Sequence, residues 1–385
     1  MPRLSSRTRD LRGSPVRAML EVSMRPEVIS FAGGLPAPET FADLDLPEAP
    51  RDLFQYGPTE GEPALRARIA EELAASGLQV PAEQVIVLSG SQQGIDLVAK
   101  LVVDPGTPVA VESPSYLAAL QVFRFFGADF RILAPDLFHG GGWEGGEPPA
   151  LAYVIPTFQN PTGRCWSLGE RKAIAEACRR DDVVLFEDDP YRDLVYAPCE
   201  RTPAASFMDG GSWVYQSSFS KTVAPGLRLG FLAASPDLIT PLSRLKQASD
   251  LHTNRISQWA ALTYLNDPAR PERMRRLVEA YKTKRDRFDA ALRRHFGNLA
   301  QWETPPGGLF FWVRFNAPMD MNALLEAAMA KNVLFTPAEH FLARPGDANA
   351  MRLNFSHASE DDAERGLAIL AEAARALMAP AGTGS

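Results

Sequence analysis

Residues 85–111, Val-Ile-Val-Leu-Ser-Gly-Ser-Gln-Gln-Gly-Ile-Asp-Leu-Val-Ala-Lys-Leu-Val-Val-Asp-Pro-Gly-Thr-Pro-Val-Ala-Val, run from a short apolar stretch through a serine-glycine turn into a helical pattern. After Pro105-Gly106 a second apolar stretch begins. The spacing predicts a buried strand at 85–88, a helix at 91–103, a strand at 109–112 and a helix at 116–126. Further apolar runs at 151–155, 183–186, 213–216 and 229–233 continue the series, and Ser167 with Glu170 forms a capping-box spacing that opens a helix between two of them. Strands separated by helical stretches pair in parallel through crossover connections, which predicts an α/β sheet covered on both faces.

Outward from this core the pattern changes. Upstream, Ser14 as N-cap and Pro15 at the first helical position predict a helix over 15–23. An extended piece at 29–36 follows, with a Gly33-Gly34 turn where a small ligand can lie against bare backbone. Gln55 to Gly61 is a polar loop with one aromatic, Tyr56, ahead of a helix over 63–76. Downstream, an Arg-rich helical stretch covers 268–296. Strands follow near 309–315, 333–336 and 351–355, and an Ala-rich helix covers 359–377. The expected fold class is therefore α/β, a large domain with a mostly parallel sheet covered by helices, plus a smaller α+β domain. The expected boundaries are 1–32 for an N-terminal segment joining the small domain, 33–265 for the large domain and 266–385 for the small domain.

Composition excludes several classes. A formal net charge of −7 offers no basic field for nucleic acid, and no apolar run approaches the ~20 residues needed to span a bilayer. Cys165, Cys178 and Cys199 have no metal-ligand spacing, and their odd count speaks against a disulfide framework. No metal is expected, and a cytoplasmic location is. Five arginines within the first 17 residues superficially look like a transit peptide, against which the helix start at Ser14-Pro15 weighs.

The chemistry centres on residues 217–230, Ser-Ser-Phe-Ser-Lys-Thr-Val-Ala-Pro-Gly-Leu-Arg-Leu-Gly. Of the 40 basic residues only seven are lysine, so Lys221, without a neighbouring carboxylate, stands out. An amine can form a Schiff base, which a guanidinium cannot. In such sheets ligands collect where strands end and helices begin. Ser91, after a strand and at a helix start, is placed to hold an anion. Asn160 and the run Glu187-Asp188-Asp189-Pro190-Tyr191 also follow strands; clustered acids can ligate a metal, but no His or second acidic cluster completes a site, and the alternative is a solvated loop. Arg352 lies in a β-rich run, either facing solvent or facing inward as a carboxylate receptor. Together these suit a phosphorylated aromatic aldehyde: Lys221 for the imine, Ser91, Ser218, Ser220 and Arg228 for the phosphate, Tyr116 over the ring, and a carboxylate such as Asp188 on a ring N–H⁺.

The motifs F-A-G-G-L-P (31–36), Q-Y-G-P-T-E-G (55–61), S-G-S-Q-Q-G (89–94), P-S-Y (114–116), Q-N-P-T-G (159–163), E-D-D-P-Y (187–191), S-F-S-K (218–221), P-G-L-R (225–228) and R-L-N-F-S (352–356) cover nearly the whole chain. In this order the sequence resembles the fold type I pyridoxal phosphate-dependent aminotransferases. Within them it is most similar to the branch of 2-aminoadipate and kynurenine aminotransferases and the catalytic domains of MocR-type regulators. The resemblance implies pyridoxal 5'-phosphate as cofactor, with Lys221 as the Schiff-base lysine and proton carrier and Asp188 on the pyridine nitrogen. It places Asn160 and Tyr191 on the ring oxygen, Tyr116 on the ring face, and Ser91, Gln92, Ser218, Ser220 and Arg228 around the phosphate. Arg352, Asn160 and Gly34 are expected at the substrate, with Arg352 on its α-carboxylate. Tyr56 is expected to reach the phosphate across a homodimer interface, giving shared active sites.

The implied reaction is a two-step transfer of an amino group between an L-amino acid and a 2-oxo acid, 2-oxoglutarate being the expected acceptor. The donor is of the 2-aminoadipate, glutamate, leucine or aromatic type. Arg17 would meet an acidic side chain if its helix caps the site; the alternative is a solvated helix arginine. A lyase or decarboxylase on the same scaffold, and a sensor that binds the cofactor without turnover, are the rival readings.

Overall fold

In the computed structural model, residues 5–8, 22, 25–42, 44 and 46–378 are described. The predicted helix at 15–23, and Arg17 with it, lies outside the described residues apart from Val22. In chain order the strands are β1 (Ile29–Ser30), β2 (Val85–Leu88), β3 (Pro108–Val111), β4 (Asp129–Ile132), β5 (Leu151–Val154), β6 (Val184–Asp188), β7 (Trp213–Ser218) and β8 (Gly230–Ala234). They continue with β9 (Ala300–Gln301), β10 (Phe310–Phe315), β11 (Val333–Leu334), β12 (Thr336–Pro337) and β13 (Ala350–Asn354).

Seven strands form one sheet in the order β2-β8-β7-β6-β5-β3-β4. All neighbours pair in parallel except β8, which runs against both β2 and β7. Alternation along each strand divides the apolar side chains between two cores. Val85, Val87, Ala152, Val154 and Tyr215 pack on one face beneath helices Pro63–Ala75, Leu168–Arg180 and Arg255–Leu265. Ile86, Leu88, Leu151, Tyr153 and Phe186 pack on the other beneath Ser91–Val102, Leu117–Phe126 and Pro236–Asp250. Coverage on both faces is why the central strands read as continuous apolar runs.

The capping box at Ser167 and Glu170 is present. The edge strand β4 and the helices Pro236–Asp250 and Arg255–Leu265 have no counterpart in the sequence-based expectation.

A second sheet, in the order β12-β13-β10-β9, is antiparallel throughout. Helices Arg270–Phe296 and Glu360–Met378 share a third core with it through Tyr281, Phe288, Phe311, Leu353 and Leu367. The N-terminal strand joins this part, because β1 pairs with β11 and Phe31 packs edge-on against Phe288 at 5.4 Å. Gly366 leaves the room for it: a Cβ there would lie 2.7 Å from the Phe31 ring.

Candidate active site

β8 runs backwards, so the loop from Phe219 to Leu229 returns at the same sheet edge where β6 and β7 end. That edge carries a cavity of about 300 Å³. Into it come Ser91 and Gln92 from the helix after β2, Tyr116 from beyond β3, Asn160 from beyond β5, and Asp188 and Tyr191 from the end of β6. Ser218 at the end of β7, and Ser220, Lys221 and Arg228 from the returning loop, complete it.

The polar end depends on two glycines. Gly90 has φ +84°, and a Cβ on it would lie 2.5 Å from Nη2 of Arg228. A Cβ on Gly230 would lie 2.8 Å from the backbone nitrogen of Ser91. Arg228 itself adopts a left-handed conformation, φ 49°, uncommon for a residue with a side chain. The result is a helix N-terminus, serine hydroxyls and a guanidinium around one point, the arrangement that binds phosphate.

At the other wall Asp188 is 3% exposed, and its Oδ2 accepts a 2.7 Å hydrogen bond from the Tyr153 hydroxyl. Its Oδ1 is buried and has no partner. Burial raises this carboxyl to about 6, against the pull of Tyr153 and Gln216.

Lys221 donates to the Gly34 carbonyl at 2.8 Å, which brings the Gly-Gly turn to the amine. Burial, then Arg228 and Arg352, push the amine down to about 8. Arg352 faces inward, 2% exposed, so of its two sequence readings the buried one holds. It donates to Asn160 Oδ1 at 2.9 Å and to the Ala32 carbonyl, while its Nε has no partner. Its guanidinium lies between the rings of Phe310 and Phe341, at 4.3 and 4.9 Å. Burial lowers it to about 10. Burial likewise raises Tyr116 to about 12 and lifts Tyr191 above its ordinary range.

Tyr56 is not among the residues lining this cavity. It is 76% exposed and meets His252 edge-on at 5.9 Å. The acidic run is not a solvated loop: Glu187, Asp188 and Asp189 are all buried. Each has its own claimant. Glu187 accepts from the Ala205 backbone and lies 3.8 Å from Arg171, and Asp189 pairs with Arg192 and Tyr215. No group of His, Cys, Asp and Glu able to hold a metal occurs among the described residues.

Sequence reasoning missed Tyr153, Gln216, Phe310 and Phe341. Gln216 carried a signal, a polar residue inside an apolar strand. Tyr153 carried none, because its partner sits 35 residues on.

Pyridoxal phosphate fits these residues: a partnerless buried carboxylate oxygen answers a pyridine N–H⁺, and the glycine-lined anion cup answers the phosphate. The fold and the site define a pyridoxal phosphate enzyme of the aminotransferase type. The chain belongs to the class I and II aminotransferases, whose family model matches residues 36–370. It is 34% identical to an aromatic-amino-acid aminotransferase of Thermococcus litoralis over 97% of this chain and 94% of that one. It is 34% identical to a 2-aminoadipate transaminase of Thermus thermophilus over 96% of each. The solved α-aminoadipate aminotransferase of Thermus thermophilus, complexed with N-(5'-phosphopyridoxyl)-L-leucine, superposes with a TM-score of 0.88 at 33% identity, covering 98% of both chains. The protein is thus an aminotransferase that uses pyridoxal 5'-phosphate.

Proposed function

We propose that Lys221 is the amine that meets the cofactor's aldehyde and afterwards moves the proton at the substrate Cα. The observation that carries this assignment is the Lys221 side chain lining the cavity with Asp188 and Tyr116, its amine on the Gly34 carbonyl at 2.8 Å; burial, then Arg228 and Arg352, lower it to about 8. A general base must be neutral near the working pH, and an ordinary lysine is not. When bound, pyridoxal phosphate supplies an aldehyde that accepts the amino group and a pyridinium ring that takes up the electron pair left on Cα. The chain's own residues do the rest. Asp188 holds the ring N–H⁺ through Oδ1. Asn160 and Tyr191 hydrogen-bond the ring oxygen, and Tyr116 covers the ring. Ser91, Gln92, Ser218, Ser220 and Arg228 fix the phosphate. Arg352, held by its two aromatic neighbours, takes the α-carboxylate beside Asn160 and Gly34.

The donor we propose is a 2-aminoadipate, glutamate, leucine or aromatic amino acid, with 2-oxoglutarate as acceptor; the similar proteins above support that range. Arg17 is proposed as the group that reads an acidic side chain. A homodimer is proposed in which Tyr56 enters the second subunit's phosphate site, supported by its exposure beside exposed Phe54 and Leu251. The division proposed is 33–265 and 266–385 with the N-terminal segment joined to the latter; the third core, built mainly from Ile29, Phe31 and residues 277–374, supports it, while Ala37, Phe158, Tyr191, Leu194 and Tyr196 reach into that core from the large domain. A cytoplasmic location is included on the strength of the odd number of cysteines, all free. Among the described residues no helix is long and apolar enough to cross a membrane.

The test is an amino-donor screen against 2-oxoglutarate with wild type, Lys221→Ala and Arg17→Ala. Transfer should require the oxo acid and vanish in Lys221→Ala, and Arg17→Ala should lose acidic donors selectively. Wild-type turnover by Lys221→Ala would refute the lysine's role, and an unchanged donor profile would remove Arg17 from specificity.

A further inference from the structure

We infer that Tyr153 is a positioning residue for the cofactor's pyridine nitrogen: its hydroxyl anchors one oxygen of Asp188 so that the other stays ionised and free for the ring. This rests on the assignment of Asp188 to the ring nitrogen.

The placement follows from register. Tyr153 on β5 pairs with Phe186 on β6, and Asp188 lies two residues further along the same strand, hence on the same face. The Tyr153 side chain is fully buried. Its ring stands edge-on between Phe123 at 5.5 Å and Phe186 at 5.4 Å. Packed this way, the ring has no room to swing, and the hydroxyl is delivered to Asp188 Oδ2 at 2.7 Å. One tethered oxygen fixes the carboxyl group; Oδ1 is left without a partner on a residue that lines the cavity.

Gln216 lies beside the same residue on the neighbouring strand. It is the register partner of Asp188 on β7 and is fully buried. Its amide fits only because residue 94 is glycine, where a Cβ would lie 2.2 Å from Gln216 Oε1.

The electrostatics agree with the geometry. Burial, and to a lesser degree the Asp189 charge, drive Asp188 toward the neutral form, and the hydrogen bond from Tyr153 opposes them. Tyr153 is itself pushed well above its ordinary range, by burial first and then by Asp188, so it remains a donor across the working pH range. A carboxyl that loses this donor protonates more readily, and a protonated carboxyl cannot stabilise an N–H⁺.

The experiment is equilibrium binding of pyridoxal phosphate to the apoenzyme from pH 5 to 9, for wild type, Tyr153→Phe, Asp188→Asn and the double variant. Titrations of the cofactor and of Lys221 are common to all four and cancel in the comparison. Wild-type affinity should fall as pH drops through the Asp188 titration. Tyr153→Phe removes one oxygen and should move that fall upward by about one pH unit, the size of a hydrogen bond to a charged group, weakening binding about twofold at pH 7 and about tenfold at pH 5. Asp188→Asn should flatten the fall, and adding Tyr153→Phe to it should change nothing more, because the tyrosine acts through the carboxylate. If Asp188→Asn alters binding while Tyr153→Phe keeps the wild-type pH profile and affinity, the positioning role is overturned. If Asp188→Asn leaves binding and its pH dependence untouched, the assignment of Asp188 to the ring nitrogen falls with it.

Discussion

Replacing Lys221 by methionine should make the apoprotein more stable. The amine is pulled from its ordinary 10.5 down to about 8, by burial first and then by Arg228 and Arg352. The separation of about 2.5 corresponds to roughly 3.4 kcal/mol at ~1.36 kcal/mol per pH unit. The sign follows from which state binds the proton more tightly. Between pH 8 and 10.5 the unfolded chain holds it and the folded chain has released it, so stability rises with pH across that window. Below pH 8 both states are charged and the folded state carries the cost of an ammonium partly shielded from water near Arg228 and Arg352. The side chain is only partly buried and donates to the Gly34 carbonyl, so relaxation trims the gain to about 1–3 kcal/mol at pH 7. Methionine has similar length and no charge. Urea unfolding of both apoproteins should show the variant ahead at pH 7, with the gap closing as pH climbs through 8 to 10.5. Other groups titrate in that range too, but equally in the two proteins. A gap that ignores pH, or a variant less stable at pH 7, would refute the claim that this amine is strained by its surroundings.

Arg171→Met should destabilise the protein by about 3–5 kcal/mol in urea unfolding, because it strips five oxygen acceptors and leaves Glu187 buried without its cation; adding Glu187→Gln should recover part of the loss. The Cys165 thiol is lowered to about 7, chiefly by the neighbouring Cys199 thiol and then, against burial, by Arg171, whereas burial lifts Cys178 far up. Iodoacetamide at pH 7.5 should therefore label Cys165 at least about tenfold faster than Cys178 by peptide mass spectrometry, and equal labelling counts against that contrast. Tyr56→Ala and Lys221→Ala, each nearly inactive alone, should regain about a quarter of wild-type activity when unfolded and refolded together, since half the dimers are mixed and each has one intact site; no regain places Tyr56 outside the shared site.

The legibility of this chain tracks burial. Strands β2, β3, β5, β6 and β7 are covered on both faces and read directly as apolar runs. β4, Asp-Phe-Arg-Ile at the sheet edge, alternates charge with apolar residues and shows no run. Helix Pro236–Asp250 was hidden by an internal Pro241 and by Lys246, which is fully buried yet held by Gln93, Asp250 and Thr253. Around the site, residues that act through their own position in the loop after β7, such as Ser220, Lys221 and Arg228, are visible in the sequence. Those that act through a distant partner are not. The acids at 187–189 look like a surface run until Arg171 and Arg192 are seen beside them. Arg352 has two faces in the sequence, and only pairing with Trp312 and Thr336 turns it inward.

The charges of the cavity point in one direction. Lys221 is lowered to about 8, Arg352 to about 10 and Asp188 is raised to about 6, each moved by burial toward its neutral form. A site that only stabilised the fold would pair these groups with one another, since an unpaired buried charge costs several kcal/mol. Here the two cations push on each other, and Asp188 has Tyr153 rather than either cation as its hydrogen-bond partner. The cavity therefore leaves charge still to be met at both ends, the guanidinium of Arg228 at one and the partnerless Oδ1 of Asp188 at the other. A ligand carrying a phosphate and a protonated ring would meet both, and its binding would stabilise the fold by mass action. Heating curves with increasing pyridoxal phosphate should thus rise without saturating near stoichiometry, and deoxypyridoxine phosphate, which keeps the ring nitrogen and the phosphate but has no aldehyde, should raise the melting point as well. No rise with that analogue would mean that the amine alone, rather than the combined charges of the cavity, holds the cofactor.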